Sequence, residues 1–177
     1  MKKIVAFGAS SSKESINKKL ANFAANQVDE ASVYLLDLNS FEMPIYSVDK
    51  EKESGIHPLA VAFKEYIKDA DGIVISFAEH NGAYSAAFKN IFDWISRIDQ
   101  DVWMNKPMFL LATSPGARGG QTVLDIAVNK FKFMNKNTIT SFSLPSFYQN
   151  FSEEEGIKEE TLAKAFTEQL NTFAEAL

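Results

Sequence analysis

Three short segments of this sequence concentrate the residue types that hold ligands. The first, Gly8-Ala9-Ser10-Ser11-Ser12-Lys13-Glu14-Ser15-Ile16-Asn17, carries four serines, an asparagine and a lysine. Hydroxyls ahead of a helix offer O–H donors beside unpaired backbone N–H groups, and the helix dipole adds partial positive charge there. That is chemistry for a phosphate. The same residues also read as a polar loop with Ser15 as helix cap. The segment contains neither GxGxxG nor GxxxxGK[ST], so no Rossmann or P-loop fingerprint is present. The second segment, Phe77-Ala78-Glu79-His80-Asn81-Gly82-Ala83-Tyr84, centres on an Asn-Gly pair that marks a tight turn. A planar ligand with polar edges uses backbone amides for its edge and aromatics for its face. A plain strand-to-helix turn, with His80 as a surface residue, is the alternative. The third, Thr113-Ser114-Pro115-Gly116-Ala117-Arg118-Gly119-Gly120, sets three glycines around one arginine. Glycines let backbone approach a ligand closely. The plainer reading is a flexible turn with a solvated arginine.

Other chemistries drop out. There is no cysteine, which removes disulfides, thiolate nucleophiles and Cys-based metal sites. Redox chemistry must then come from a bound cofactor. A Ser-His-Asp site would have to recruit His57 or His80, and no G-x-S-x-G elbow is present. No metal-ligand pattern stands out. The formal net charge is -5, with no dense Lys/Arg stripe, so neither nucleic acid nor an anionic membrane is an expected partner. Lys2-Lys3 and the apolar run behind them resemble a signal peptide, but the run stops by Ser10, short of an h-region. No apolar stretch approaches transmembrane length. Asn150-Phe151-Ser152 matches a glycosylation sequon and is read as chance. The cytoplasm is the expected location.

The three segments need a frame that brings them together. A chain of 177 residues, 46% hydrophobic, suits one domain over residues 1–177. Apolar runs of strand length lie at 4–7, 33–36, 72–78, 107–112 and 138–144. Helix-period segments cover 15–28, 58–68, 85–97, 120–133 and 159–177, and residues 39–54 read as irregular. The first, third and fourth runs are unbroken, as centrally buried parallel strands are. The fifth alternates like an edge strand. Strands alternating with helices predict an α/β fold, a doubly wound parallel sheet with helices on both faces. Ligands in such sheets bind beyond the C-terminal strand ends, where the strand order reverses. All three segments fall at that edge. The helix over 85–97 carries Ala86, Ala87, Phe88, Ile91, Phe92, Trp94 and Ile95, more than half its circumference. A sheet-covering helix needs one apolar stripe, so a second face is expected to be covered too. The expected cover is a second copy of the chain in an isologous dimer, with the neighbouring helix and the 39–54 loop as alternative.

At these segments the sequence resembles the NADPH-dependent FMN reductase family, whose relatives include quinone, azo-dye and chromate reductases. The resemblance covers residues 3–146. Residues 9–17 match its Gly-Ser-x-Arg-x-x-Ser-x-Asn loop, with Ala9 and Ser12 at the glycine and arginine positions. Glu79-His80-Asn81-Gly82 and Phe88-Lys89-Asn90-Ile91-Phe92-Asp93-Trp94 match its Pro-Glu-Tyr-Asn-Gly and Leu-Lys-Asn-Ala-x-Asp-Trp elements. Lys106-Pro107 and Ser114-Pro115-Gly116-Ala117-Arg118-Gly119-Gly120 match its Lys-Pro and Ser-Pro-Gly-Gly-Arg-Gly-Gly elements, and Pro44-Ile45-Tyr46 with Asp49 its Pro-Leu-Tyr-x-x-Asp.

The resemblance implies a flavodoxin-like, five-stranded sheet of order 2-1-3-4-5. It implies FMN, with its phosphate on Ser10, Ser12, Ser15 and Asn17. The isoalloxazine ring would lie on Glu79, His80, Asn81 and Gly82 and against Ser114 and Gly116. Arg118 would meet the flavin edge or the phosphates of NADPH or NADH, the electron donor. The implied activity is an NAD(P)H-dependent FMN oxidoreductase acting on a small acceptor such as free flavin or a quinone, in a homodimer or homotetramer. No side chain is assigned as a catalytic acid or base. The alternatives are a non-enzymatic flavodoxin-type electron carrier and a relative that has lost FMN.

Overall fold

The computed structural model describes residues 1–177. The strands in chain order are β1 (Lys2–Ala9), β2 (Ala31–Leu36), β3 (Gly72–Phe77), the hairpin pair β4 (Glu79–His80) and β5 (Ala83–Tyr84), β6 (Met108–Thr113), β7 (Ile139–Leu144), and a second hairpin, β8 (Phe151–Ser152) and β9 (Gly156–Ile157). Five of them form one parallel sheet in the order β2-β1-β3-β6-β7. Numbered without the hairpins, that is the expected 2-1-3-4-5.

The central strands are buried on both faces, which is why they read as unbroken apolar runs. Their side chains divide by alternation. On one side Val5, Phe7, Ile73, Ile75, Met108 and Leu110 join the larger core cluster. On the other, Ile4, Ala6, Val74, Phe109 and Leu111 join the smaller one. Helices α1 (Ile16–Asn26) and α7 (Glu160–Glu175) cover the second side through Leu20, Ala24, Phe166, Leu170 and Phe173. The first side is covered by α3 (Pro58–Asp69), α4 (Ala86–Ile95) and α5 (Gln121–Met134). Edge strand β7 alternates between half-buried and buried positions, as expected.

Two stretches differ from the sequence expectation. Residues 39–54 are not irregular throughout. A 3-10 turn at Leu38–Phe41 is capped by Asp37, and helix α2 (Val48–Ser54) is capped by Ser47. No residue of α2 is buried, so there was no apolar stripe to read. Between β7 and α7 lies α6 (Phe147–Asn150), too short to show a period.

From Phe88 to Ile95 the second apolar face of α4 is covered within the chain; Ala86 stays exposed. Phe88, Ile91, Phe92, Trp94 and Ile95 are all buried. Phe92 stacks on Phe88 and on Trp103, each at 5.8 Å, and meets the Phe131 ring edge-on at 5.6 Å. On the outer side a strap crosses the helix. Trp94 Nε1 donates to the Pro44 carbonyl at 2.8 Å, Asn90 Nδ2 to the Met43 carbonyl at 3.0 Å, and the Tyr46 amide to Asn90 Oδ1 at 2.8 Å. The neighbouring helix and the 39–54 segment thus do what a second subunit was expected to do, and α4 gives no reason of its own for an interface. Truncating Phe92 to alanine should lower unfolding stability by about 3–5 kcal/mol, with a urea midpoint that does not move with protein concentration. A concentration-dependent midpoint would show that this face is an interface after all.

Candidate functional site

The first segment is shaped by one close approach. A Cβ on Gly8 would stand 2.4 Å from the Lys18 nitrogen, so only glycine lets β1 run directly beneath the first turn of α1. Ser15 caps that turn, its buried Oγ accepting the Lys18 amide at 3.1 Å. The Lys19 amide goes to the Ser15 carbonyl at 3.2 Å. The Ile16 and Asn17 amides are left as unpaired donors, as first-turn amides are. Ser10 Oγ accepts the Ser12 amide at 3.1 Å and so curls the loop over this helix end.

Asn17 is buried, and its side chain is spent on the frame. Its Oδ1 accepts from the Ser76 hydroxyl at 2.7 Å and from the Thr113 amide at 3.1 Å, and its Nδ2 donates to the Thr113 carbonyl at 3.2 Å. It clamps α1 to the C-terminal ends of β3 and β6. Lys18 on the same turn is also engaged, paired with Asp37 Oδ2 at 2.5 Å. The hydrogen bond from Lys18 holds the Asp37 carboxyl down at about 2, with help from the Asn39 amide.

The second segment forms the hairpin β4–β5. Asn81 and Gly82 have φ of 52° and 73°, the left-handed pair that a two-residue type I′ turn requires. The hairpin carries Glu79 across to α5, where its Oε2 accepts the Val123 amide at 3.1 Å. The N-cap of α5 is Gly120, which has no side chain to cap with. Glu79 supplies that acceptor from outside the helix and sets its charge at the favourable helix end. The third segment is held from β7 and α6. The Ser146 amide donates to the Gly116 carbonyl at 2.9 Å and the Phe147 amide to the Ser114 carbonyl at 3.0 Å.

Together these elements enclose a cleft of about 230 Å³ at the C-terminal ends of β1, β3 and β6. Of the residues singled out from the sequence, Ser10, Ser12, Ser15, Asn17, Glu79, His80 and Ser114 line it. Asn81 and Gly82 form the hairpin tip and Gly116 lies beyond Pro115, all outside the lining. Arg118 faces a neighbouring groove with Gln121, Ser143 and Leu162, and its guanidinium donates to Thr122 Oγ1 at 2.7 Å. One lining residue lies outside the three segments, and within them Glu14 was given no role. Tyr148, 70% exposed at the rim, arrives on α6, which had no sequence signal. His57 lies elsewhere, its Nδ1 accepting the Leu59 amide at 3.2 Å as the cap of α3. A larger hollow of about 480 Å³, between Gln27 and Leu170, includes none of the residues singled out from the sequence.

A sequence profile described as NADPH-dependent FMN reductase matches residues 2–149. The chain belongs to this family. Among curated relatives, a 2-hydroxy-1,4-benzoquinone reductase from Burkholderia sp is 37% identical over 119 residues, 66% of this chain and 63% of the relative. A quinone reductase from Escherichia coli (strain K12) is 34% identical over 79 residues, 45% of this chain and 42% of the relative. The matches thus span less than two thirds of these relatives' length. Among solved structures, FerB, a flavoenzyme NAD(P)H:(acceptor) oxidoreductase from Paracoccus denitrificans, superposes with TM-score 0.77 at 21% identity, covering 99% of this chain and 97% of the other. The apo form of EMOB, an NADH:FMN oxidoreductase, superposes with TM-score 0.75 at 19% identity, covering 100% and 90%. At such identity these two structures establish the shared fold. No helix is long and apolar enough to cross a membrane.

In this member of the FMN reductase family the clamp and the ion pair each yield a stability prediction. Asn17→Ala strands the Ser76 hydroxyl and both Thr113 backbone groups, which should cost about 3 kcal/mol in urea unfolding. The Asp37 carboxyl is lowered on folding from 3.8 to about 2. Its contribution is therefore present above the unfolded value and is lost as pH falls through about 2. Asp37→Asn should lower stability at neutral pH, and the gap to the wild type should close below pH 4, most of it by about pH 2.

Proposed function

We propose that this chain is a cytoplasmic NAD(P)H-dependent FMN oxidoreductase that passes electrons to a small planar acceptor, a quinone or free flavin. One observation carries the reading: the hydroxyls of Ser10, Ser12 and Ser15 converge with the unpaired Ile16 and Asn17 amides at the start of α1, where the strand order reverses. Neutral O–H and N–H donors on a helix end fit the phosphate of FMN. Ala78, Glu79 and His80 on one wall and Thr113, Ser114 and Pro115 on the other fit its ring system, with Tyr148 at the rim. When bound, FMN supplies the hydride and electron chemistry that a chain without cysteine lacks.

The chain's own residues bind and orient. Ser10, Ser12 and Ser15 hold the phosphate end, and Asn17 keeps their helix in place. Glu79 fixes the hairpin wall to α5, so the two walls keep their spacing. Arg118, the cation beside the cleft, fits the phosphates of the nicotinamide donor. No side chain need serve as acid or base.

On the far side of Ser11 lies a more apolar groove of about 320 Å³, walled by Leu38, Phe41, Met43, Ile45 and Ile91. Its composition supports a planar acceptor. The two quinone-reductase relatives support the quinone, and the family profile, described as an FMN reductase, supports flavin. Ile45 and Val48, 77% and 54% exposed beside this groove, support a homodimer or homotetramer in which a second copy covers them.

The deciding experiment adds FMN to the purified protein and follows NADH and NADPH consumption with a benzoquinone or with excess FMN. Flavin binding and acceptor-dependent consumption are expected, and absence of both would overturn the reading. Within it, Ser15→Ala should weaken FMN binding by about tenfold in a fluorescence titration. Arg118→Ala should raise KM for NAD(P)H by about tenfold and leave FMN affinity unchanged. Loss of FMN with an unchanged KM would reassign Arg118 to the flavin.

A further inference from the structure

The cleft contains two carboxylates, Glu14 and Glu79, and no lysine or arginine. The nearby cations are engaged elsewhere. Lys18 is paired with Asp37, and Lys19 with Glu153 at 2.8 Å. Arg118 lines the neighbouring groove and bonds Thr122. Lys13 shares the loop but is exposed and is not part of the lining.

The two carboxylates are not equivalent. One oxygen of Glu79 takes the Val123 amide, so the α5 helix end absorbs part of its charge. Glu14 makes no hydrogen bond or ion pair with its side chain. It directly precedes the N-cap Ser15, so it draws on the same positive helix end that a bound phosphate would use. The chain's net charge of -5 adds a background of the same sign.

We propose that this cleft holds the flavin phosphate by neutral donors alone and sets Glu14 against its charge, so that flavin exchanges instead of staying bound, with Glu14 as the residue that sets the preference between FMN and riboflavin. This rests on the flavin reading of the cleft and adds to it the sign of the electrostatics. A phosphate held by lysine or arginine loses affinity as salt rises, because screening weakens the attraction. Here the fixed charges in the cleft lining itself are repulsive, so screening acts in the opposite direction.

The test is a pair of titrations, FMN and riboflavin, on the wild type and Glu14→Gln, from low salt to about 0.5 M sodium chloride. FMN should bind more tightly as salt rises, while riboflavin stays level. Glu14→Gln should tighten FMN by about three- to tenfold at low salt and flatten its salt dependence. Riboflavin affinity should not change in that variant, which also reports an intact cleft. FMN affinity that falls with salt, an unchanged FMN affinity in Glu14→Gln, or FMN that survives dialysis at one per chain would each overturn the proposal. If neither flavin binds at any salt concentration, the flavin reading itself fails and takes this proposal with it. That result is distinct from the other three, in which flavin binds.

Discussion

The structure depends on one buried amide. Asn17 sits where a helix end meets two strand ends, and each of its bonds goes to a different partner group on β3 or β6. A polar side chain in that position is costly unless it is satisfied. Satisfied, it fixes orientation more sharply than apolar contact does, because hydrogen bonds have direction. Leucine or alanine on the same face of α1 would press the helix to the sheet without fixing its rotation. Asn17 fixes which amides of the first turn point into the cleft. Gly8 permits the approach that makes those bonds short.

The walls follow the same logic. Each is a loop, with too little apolar surface to hold itself, and each is tied by a polar group to backbone. Glu79 binds the start of α5, the Ser85 hydroxyl donates to the Ala9 carbonyl at 2.8 Å, and Asn90 and Trp94 bind the strap over α4. The core supplies stability through its aromatic stack. The polar ties convert that stability into a defined cleft.

The frame was legible because strands buried on both faces and helices buried on one leave periodic traces in sequence. α1, α3, α4, α5 and α7 were found that way. α2 and α6 left no trace, one exposed all round and the other a single turn. The covering of α4 was misread because Phe131 and the strap reach it from distant parts of the chain, and periodicity reports only what one helix needs to bury. The site was partly legible for a similar reason. Residue type picked out Ser10, Ser12 and Ser15, which the fold brings to one cleft. It could not show that the Asn17 side chain turns to the sheet or that Arg118 serves a neighbouring groove. Nor could it show that Tyr148 is delivered by a segment some thirty residues beyond the third loop. Those are facts of convergence, not of composition.

The loop between Gly8 and Ser15 separates two kinds of position. Gly8 and Ser15 are bound to the helix geometry, whereas Ser11, Ser12, Lys13 and Glu14 are exposed and make none of the side-chain bonds that hold α1. The one bond made by Ser12 uses its backbone, which every residue except proline retains. The electrical character of the cleft is therefore uncoupled from its architecture. Single-codon changes across these four positions can alter the charge at the cleft mouth while the scaffold beneath stays the same.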